Sequence, residues 1–365
     1  MMPARILRKP FLFILAFLLT SFVFTACGDK ENDVDEKDTK KTEVKGKDNL
    51  LKGKAAYEIE DYHEAALSFA LAAQEGNAEA MYLLGKCYRE GTGVERNIDK
   101  AEKWMKEAAD QGHAEAKAFL KRYDGPVEEK TITLAGNVKL ELVKVEAGSF
   151  EMSARDGENY GDEVAHRATL TKDFYIGQTE VTQAQWKAVM GTNPSYSKGD
   201  DLPVEQVSWN DAMEFCGKLN DMGKAPSGWK FTLPTETQWE YAARGGNKSK
   251  GYKYSGSNDV GEVAWYDDNS GSKTHPVGQK KSNELGMCDM SGNVWEWCLD
   301  DYQNKSDKAT AEFARGNDQG SSDRVIRGGS WLNYARRCRS ALRDGSGPGD
   351  RDDNLGFRLA LVPVR

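Results

Sequence analysis

One nine-residue pattern occurs twice at a fixed distance and dictates the architecture of the first third of the chain. Residues 72–80 read AAQEGNAEA, and residues 108–116, thirty-six positions later, read AADQGHAEA. A period of this size is what stacked helical hairpins produce, because each pair of helices has an apolar face that only the next pair can cover. Gly76 and Gly112 supply a left-handed residue to end one helix, and Asn77 and His113 stand where the next begins. In that position His113 reads as a capping or exposed side chain, not a ligand.

The residues ahead of the repeat do not belong to a fold. Arg5, Arg8 and Lys9 precede an apolar run of fourteen residues, Phe11 to Phe24, too short to span a bilayer as a helix. The run ends in Phe24-Thr25-Ala26-Cys27, which resembles a bacterial lipobox. That resemblance implies a signal peptide over residues 1–26 and lipidation of the Cys27 thiol, hence a protein tethered to a membrane of the bacterial cell envelope, facing periplasm or cell surface. Residues 27–48 are dense in both charges and lack aromatics. Such a segment cannot bury enough apolar surface to offset its ordering entropy, so it reads as a disordered charged tether.

Helix formers run from 49 to 123, and Asp124-Gly125-Pro126 then stops the pattern, so 124–131 is a linker. Thr131 to Leu134 and Val138 to Val145 alternate as strands do, and the remainder to residue 365 mixes short strand and helix signals with long polar loops. This is an α+β reading, without the regular alternation of a doubly wound sheet. Thirty-six glycines and nine tryptophans fit a loop-rich domain pinned by aromatic side chains. Fifty Lys+Arg against 58 Asp+Glu argue against a nucleic-acid binder.

Several local features carry a physical role of their own. Asn210 or Ser208 can cap a helix bearing Ala212, Phe215, Cys216 and Leu219 on one face. Thr235 and Gln238 have capping-box spacing. Residues 324–343, RVIRGGSWLNYARRCRSALR, gather six arginines around a Gly-Gly pair. Arg327, Arg339, Arg343 and Arg358 read as partners for buried acids such as Glu180, Glu240 or Glu296, since a buried charge needs a partner.

The order of motifs identifies two families. Leu84 to Val94, then Asp99-Lys100-Ala101 and Trp104, resembles a Sel1-type repeat, one full copy flanked by two partial ones; a protein-contact surface and a stabilising platform are both compatible with it. From 132 to 365, the segments Phe174 to Thr182, Pro203 to Ala212, Thr232 to Gly246, Asn283 to Trp297, Arg327 to Trp331 and Gly356-Phe357-Arg358 resemble, in order, the sulfatase-modifying-factor (formylglycine-generating-enzyme-like) family. The resemblance implies an irregular fold related to C-type lectins, with oxygen-dependent formylglycine generation as founding activity.

Two sites follow from it. The resemblance maps a structural calcium loop onto Asp289, Gly292, Val294 and Glu296, with Gly292 and Val294 giving backbone oxygens; carboxylates, an amide and turn carbonyls are the hard oxygen donors Ca²⁺ prefers. Asp267, Asp268 and Asn269 offer a weaker second set. A turn held by side-chain to backbone hydrogen bonds is the alternative reading of the first loop. The family's catalytic thiols, which hold copper(I), lie two residues after the Gly-Gly-Ser-aromatic motif and five further on. Here Asn333 takes the first place and residues 332–337 hold no thiol; Cys338, seven residues after Trp331, falls at the second place by count, but the chain is shorter here and Cys338-Arg339-Ser340-Ala341 aligns beyond the pair, while Ser330 is retained at the family's oxygen site. Copper is therefore not expected, and the enzyme question stays open.

Zinc-protease, phosphate-loop and nucleophile-elbow motifs are absent, and His166 and His275 lack metal-ligand spacing. Beyond Cys27 the chain has Cys87, Cys216, Cys288, Cys298 and Cys338, and the pair Cys298–Cys338 is expected to bridge in an exported protein. Cys216 matches a family disulfide position whose partner is Leu359 here. Two functions stand: a membrane-anchored binding or assembly lipoprotein for a protein or glycan partner, and an oxidoreductase of the formylglycine-generating type or a divergent relative.

Overall fold

The computed structural model describes residues 46–95, 97–124, 127–153, 165–302 and 323–364. Cys27 and the signal segment lie outside them.

Five helices, α1 (Lys47–Glu58), α2 (Tyr62–Gln74), α3 (Ala78–Glu90), α4 (Ile98–Asp110) and α5 (Ala114–Asp124), form the first unit. α1 opens at Lys47, so the end of the expected tether is helical. Gly76 and Gly112 sit at positive φ, 89° and 94°. Asn77 caps α3 by accepting the Ala80 N–H at 2.9 Å. His113 plays the same part in α5, its Nδ1 accepting from Ala116 N at 3.3 Å while the ring stacks on Tyr82. Small residues on the inner faces, Ala65, Ala72, Ala80 and Ala108, let the helices approach around Phe69 and Leu84. The unit is fastened to the rest of the chain by Arg89, whose Nη2 donates to the Asn247 carbonyl at 2.7 Å.

The second unit is built on three sheets. Strands β1 (Glu129–Thr133), β2 (Lys139–Val145), β5 (Phe174–Gly177), β6 (Trp229–Thr232) and β11 (Ala360–Pro363) make a five-stranded sheet in the order β1-β2-β5-β11-β6. Strands β7 (Trp295–Asp301), β8 (Arg324–Arg327), β9 (Arg343–Ser346) and β10 (Leu355–Gly356) make a second, in the order β10-β7-β8-β9, and β3 (Gly148–Met152) pairs with β4 (His166–Leu170). Strand alternation divides the core of the large sheet. Leu142, Tyr175, Phe231 and Leu361 enter one apolar cluster, and Val143, Val145, Phe174 and Ile176 enter the other.

Helices α6 (Gln183–Met190), α7 (Trp209–Asp221) and α8 (Glu236–Ala243), with the single turn α9 (Val260–Val263), complete the unit. α7 buries Ala212, Phe215, Cys216 and Leu219, as its periodicity predicts, and Trp186 stacks on Phe215 with ring centroids 5.4 Å apart. Ser208 is its cap, in a reciprocal box with Asp211; Asn210 lies inside the helix. Thr235 and Gln238 form the expected box at α8, and Thr182 with Gln185 forms one at α6.

The arginines pair much as expected. Arg358 grips Glu296 with Nε and Nη2 at 2.6 and 2.7 Å, Arg327 meets Glu240, and Arg244 joins the same Glu240 at 2.8 Å. Arg343 holds Glu236 at 2.8 and 2.9 Å, an acid the sequence reading did not single out. Arg339 gives its Nε to the Arg336 carbonyl.

The expected Cys298–Cys338 disulfide is not formed: all five described cysteines are free. Cys298 points from β7 into the core containing Trp239 and Met290, whereas Cys338 packs with Tyr254, Val263 and Ala264. Adjacency to two central motifs in sequence does not make the two thiols face each other.

Candidate functional site

β8 delivers the chain to Gly328 and Gly329, both left-handed, at φ 93° and 72°. A Cβ on Gly329 would stand 2.7 Å from the Arg337 carbonyl oxygen and 3.1 Å from Cys338 Sγ, so only glycine fits. The turn places Ser330 in a fully buried position. Its N–H and its hydroxyl both donate to Asn333 Oδ1, at 2.9 and 2.8 Å, and the Asn333 N–H returns a bond to the Ser330 carbonyl at 3.0 Å. The Asn354 amide donates to Ser330 Oγ at 3.3 Å, and the Asn333 carbonyl accepts from Asp267 N. The loop centre is thus a closed hydrogen-bonded turn. Ser-x-x-Asn spacing is the sequence signal that carries it.

Around this centre the loops expose apolar surface. Leu332 and Tyr334 are 54% and 63% exposed. Trp331 is anchored by its indole N–H on the Asp353 carbonyl at 3.3 Å. Tyr196, 77% exposed, is held by Glu205, which accepts the N–H groups of Tyr196 and Ser197. Burial raises the Glu205 carboxyl above its ordinary range despite those two donors, and the Asp353 charge adds to the rise.

The donor set does not fit copper(I). No thiol lies between Trp331 and Cys338, and Cys338 is fully buried, its thiol pushed by burial up to about 12. One buried thiol does not make the pair of soft ligands that copper(I) takes.

Beneath the turn lies a buried acid cluster. Asn293 connects the two: its carbonyl accepts from Trp331 N, and its side chain donates to Glu180 Oε2 at 2.7 Å. Glu180 Oε1 accepts from Val294 N at 3.0 Å. Gly292, at φ 79°, passes under Trp265, whose carbonyl would stand 2.2 Å from an added Cβ. Asp289 Oδ2 accepts from Gly278 N at 2.6 Å, while its Oδ1 is buried with no hydrogen-bond partner. The Arg358 guanidinium is bonded to Glu296 and its charge also reaches Glu180 and Asp289. Burial first, then the charges of Asp289 and Glu296, push Glu180 well up. Burial, together with Glu296, raises Asp289 to about 6 against the Gly278 and Arg358 contributions.

Of the four expected calcium residues, Asp289, Gly292 and Val294 lie on the loop and Glu296 is the second residue of β7. Both Glu296 oxygens accept from Arg358, and Oε2 also from the Trp239 indole at 2.7 Å. Among the described residues no group of three His, Cys, Asp or Glu side chains could hold a metal ion. Asp289 Oδ1 is the atom that fits a hard cation, with excess buried negative charge around it. The Asn269 amide is spent within its own turn, on Tyr266 N and Ala264 O. His275 is structural: it stacks on Trp265 at 3.8 Å and shares a 2.7 Å hydrogen bond from Nε2 with the Ser270 carbonyl. His166 lies in β4, opposite Met152.

The family model described as sulfatase-modifying factor enzyme 1-like domain matches residues 129–362, and that of the Sel1 repeat matches 78–113. The chain is 39% identical over 274 residues to the chaperone protein LppX of Paenibacillus barcinonensis, covering 62% of this chain and 89% of that protein. It is 30% identical over 239 residues to the inactive C-alpha-formylglycine-generating enzyme 2 of Bos taurus, covering 61% and 71%. The structure of Treponema denticola variable protein 1 superposes with a TM-score of 0.58 at 33% identity, covering 64% of this chain and 98% of that one.

Proposed function

The chain belongs to the sulfatase-modifying factor family, and from that premise we propose that it is a binding or assembly module and not a formylglycine-generating oxidoreductase. The observation that carries the reading is the Ser330–Asn333 turn, where an asparagine bonded on both sides fills the place of the first family thiol. The exposed Leu332, Tyr334 and Tyr196 beside it form the presenting surface, for a protein or glycan partner. The names of two relatives support it, one a chaperone protein and the other an inactive enzyme. In this reading Cys27 carries a lipid that holds the protein on a cell-envelope membrane, and the Sel1 helices add a second contact surface. A structural Ca²⁺ belongs to the same proposal, with Asp289 Oδ1 and the Gly292 and Val294 carbonyls as donors and Glu296 contributing charge through its pair with Arg358.

The test is metal analysis of the purified protein together with incubation with a sulfatase-motif cysteine peptide under oxygen. We expect no copper, no iron and no aldehyde. Turnover abolished by Cys338→Ala would establish the oxidoreductase reading instead.

A further inference from the structure

The second core of the large domain stops short of one end of the five-stranded sheet. There a cleft of about 650 Å³ opens, with no lining residue in common with the turn at Ser330. Its floor is the sheet face itself, Phe174 of β5, Val362 of β11 and Thr232 of the edge strand β6. Leu170 and Leu299 wall it with aliphatic surface. The size and the mixture of apolar lining with a few polar groups are those of a small-molecule site.

The polar side chains of the lining are two lysines, two threonines, a glutamine and one aspartate. Lys172 and Lys230 stand at the cleft, exposed and without an ion pair among the described residues. Gln238 spends its Oε1 on the Thr235 N–H, which leaves its NH₂ group as a donor. The one lining carboxylate, Asp173, is occupied elsewhere, by Lys144 at 3.4 Å and Ala147 N at 2.8 Å. An apolar floor with cations and a donor at its edge matches a ligand with an apolar body and a negative head. We propose that this cleft binds a single-chain anionic amphiphile, body against the sheet face and head at Lys172 and Lys230. The inference is independent of what the Ser330 loop does.

The experiment uses a Cys27→Ser form of the full chain, so that neither lipid nor detergent competes, and reads displacement of anilinonaphthalene sulfonate by dodecanoate at fixed ionic strength. Dodecanoate is expected to displace the dye, with dodecylammonium about tenfold weaker. Lys172→Glu combined with Lys230→Glu should weaken dodecanoate by about the same factor while leaving the unfolding midpoint in place. Leu299→Trp should block displacement by filling the cleft; the surface charge variant serves if that protein does not fold. Equal affinity for the cationic amphiphile, or dodecanoate binding unchanged in the double variant, would overturn the proposal. So would binding to anionic phospholipid vesicles alone, with no response to the monomer.

Discussion

Ser330 and Asn333 close on each other through one oxygen: the serine N–H and hydroxyl both end on Asn333 Oδ1, at 2.9 and 2.8 Å. Position 333 therefore does structural work in this chain. Asn333→Ala would leave two buried donors of Ser330 without that acceptor, at a cost of about 1–3 kcal/mol, read as a shifted urea midpoint. Asn333→Cys should cost a similar amount and still bind no copper(I), because Cys338, five residues on, is fully buried and not free to complete a pair. Stoichiometric copper in that variant would contradict the account of the site.

Calcium is expected to raise the unfolding temperature, with Asp289 as the sensitive residue. At a hundred times its dissociation constant a ligand adds about 2.7 kcal/mol to stability. Chelator should remove that increment in the native protein and change nothing in Asp289→Ala. A melting curve indifferent to both calcium and chelator would remove the ion from the proposal.

The pair Glu240–Arg327, with Arg244, predicts an acid limb of unfolding. Burial alone would raise Glu240, but Arg244 and Arg327 hold it below its ordinary value of 4.5. A folded pKa below the unfolded one gives stability that is present above about 4.5 and lost as pH falls through the folded value. Glu240→Ala should cost about 3–5 kcal/mol at neutral pH, since it strands buried guanidinium charge. Glu240→Gln should show a shallower loss of stability than the native chain between about pH 5 and about pH 3. Parallel pH profiles for the two proteins would assign that limb to other acids.

Arg89 fastens the helical unit to the sheet domain at the Asn247 carbonyl. Arg89→Ala is expected to leave both units folded, lowering overall stability by about 1 kcal/mol, and to speed limited proteolysis between α5 and β1. Unchanged cleavage would show that other contacts hold the units together.

Features encoded within a few residues were legible in the sequence. The repeat at Ala72 and Ala108, the caps at Asn77, Ser208 and Thr235, and the amphipathic stripe ending at Leu219 all follow from local chemistry. The buried arginines were legible as a class, since charge burial demands partners. Which acid each one takes was less so: Arg343 meets Glu236 across 107 residues, and Glu180 takes its hydrogen bonds from Asn293 and Val294. The cysteines failed for the same reason. Cys298 and Cys338 belong to different cores, and spacing along the chain carries no information about which way a strand turns its side chains. At the candidate site the missing thiols could be read directly, whereas the hydrogen bonds that make Asn333 a support required the folded loop.

The position of β11 bears on how the chain acquires its structure. This last strand, residues 360–363, is not at an edge but between β5 and β6, and Arg358 just before it bonds the Gly177 and Cys288 carbonyls as well as Glu296. Each of those bonds depends on residues 358–363. The sheet cannot close on residues 129–357 alone; closure needs a strand that pairs far back in sequence. Non-local pairing of this kind slows folding and keeps the sheet open for longer.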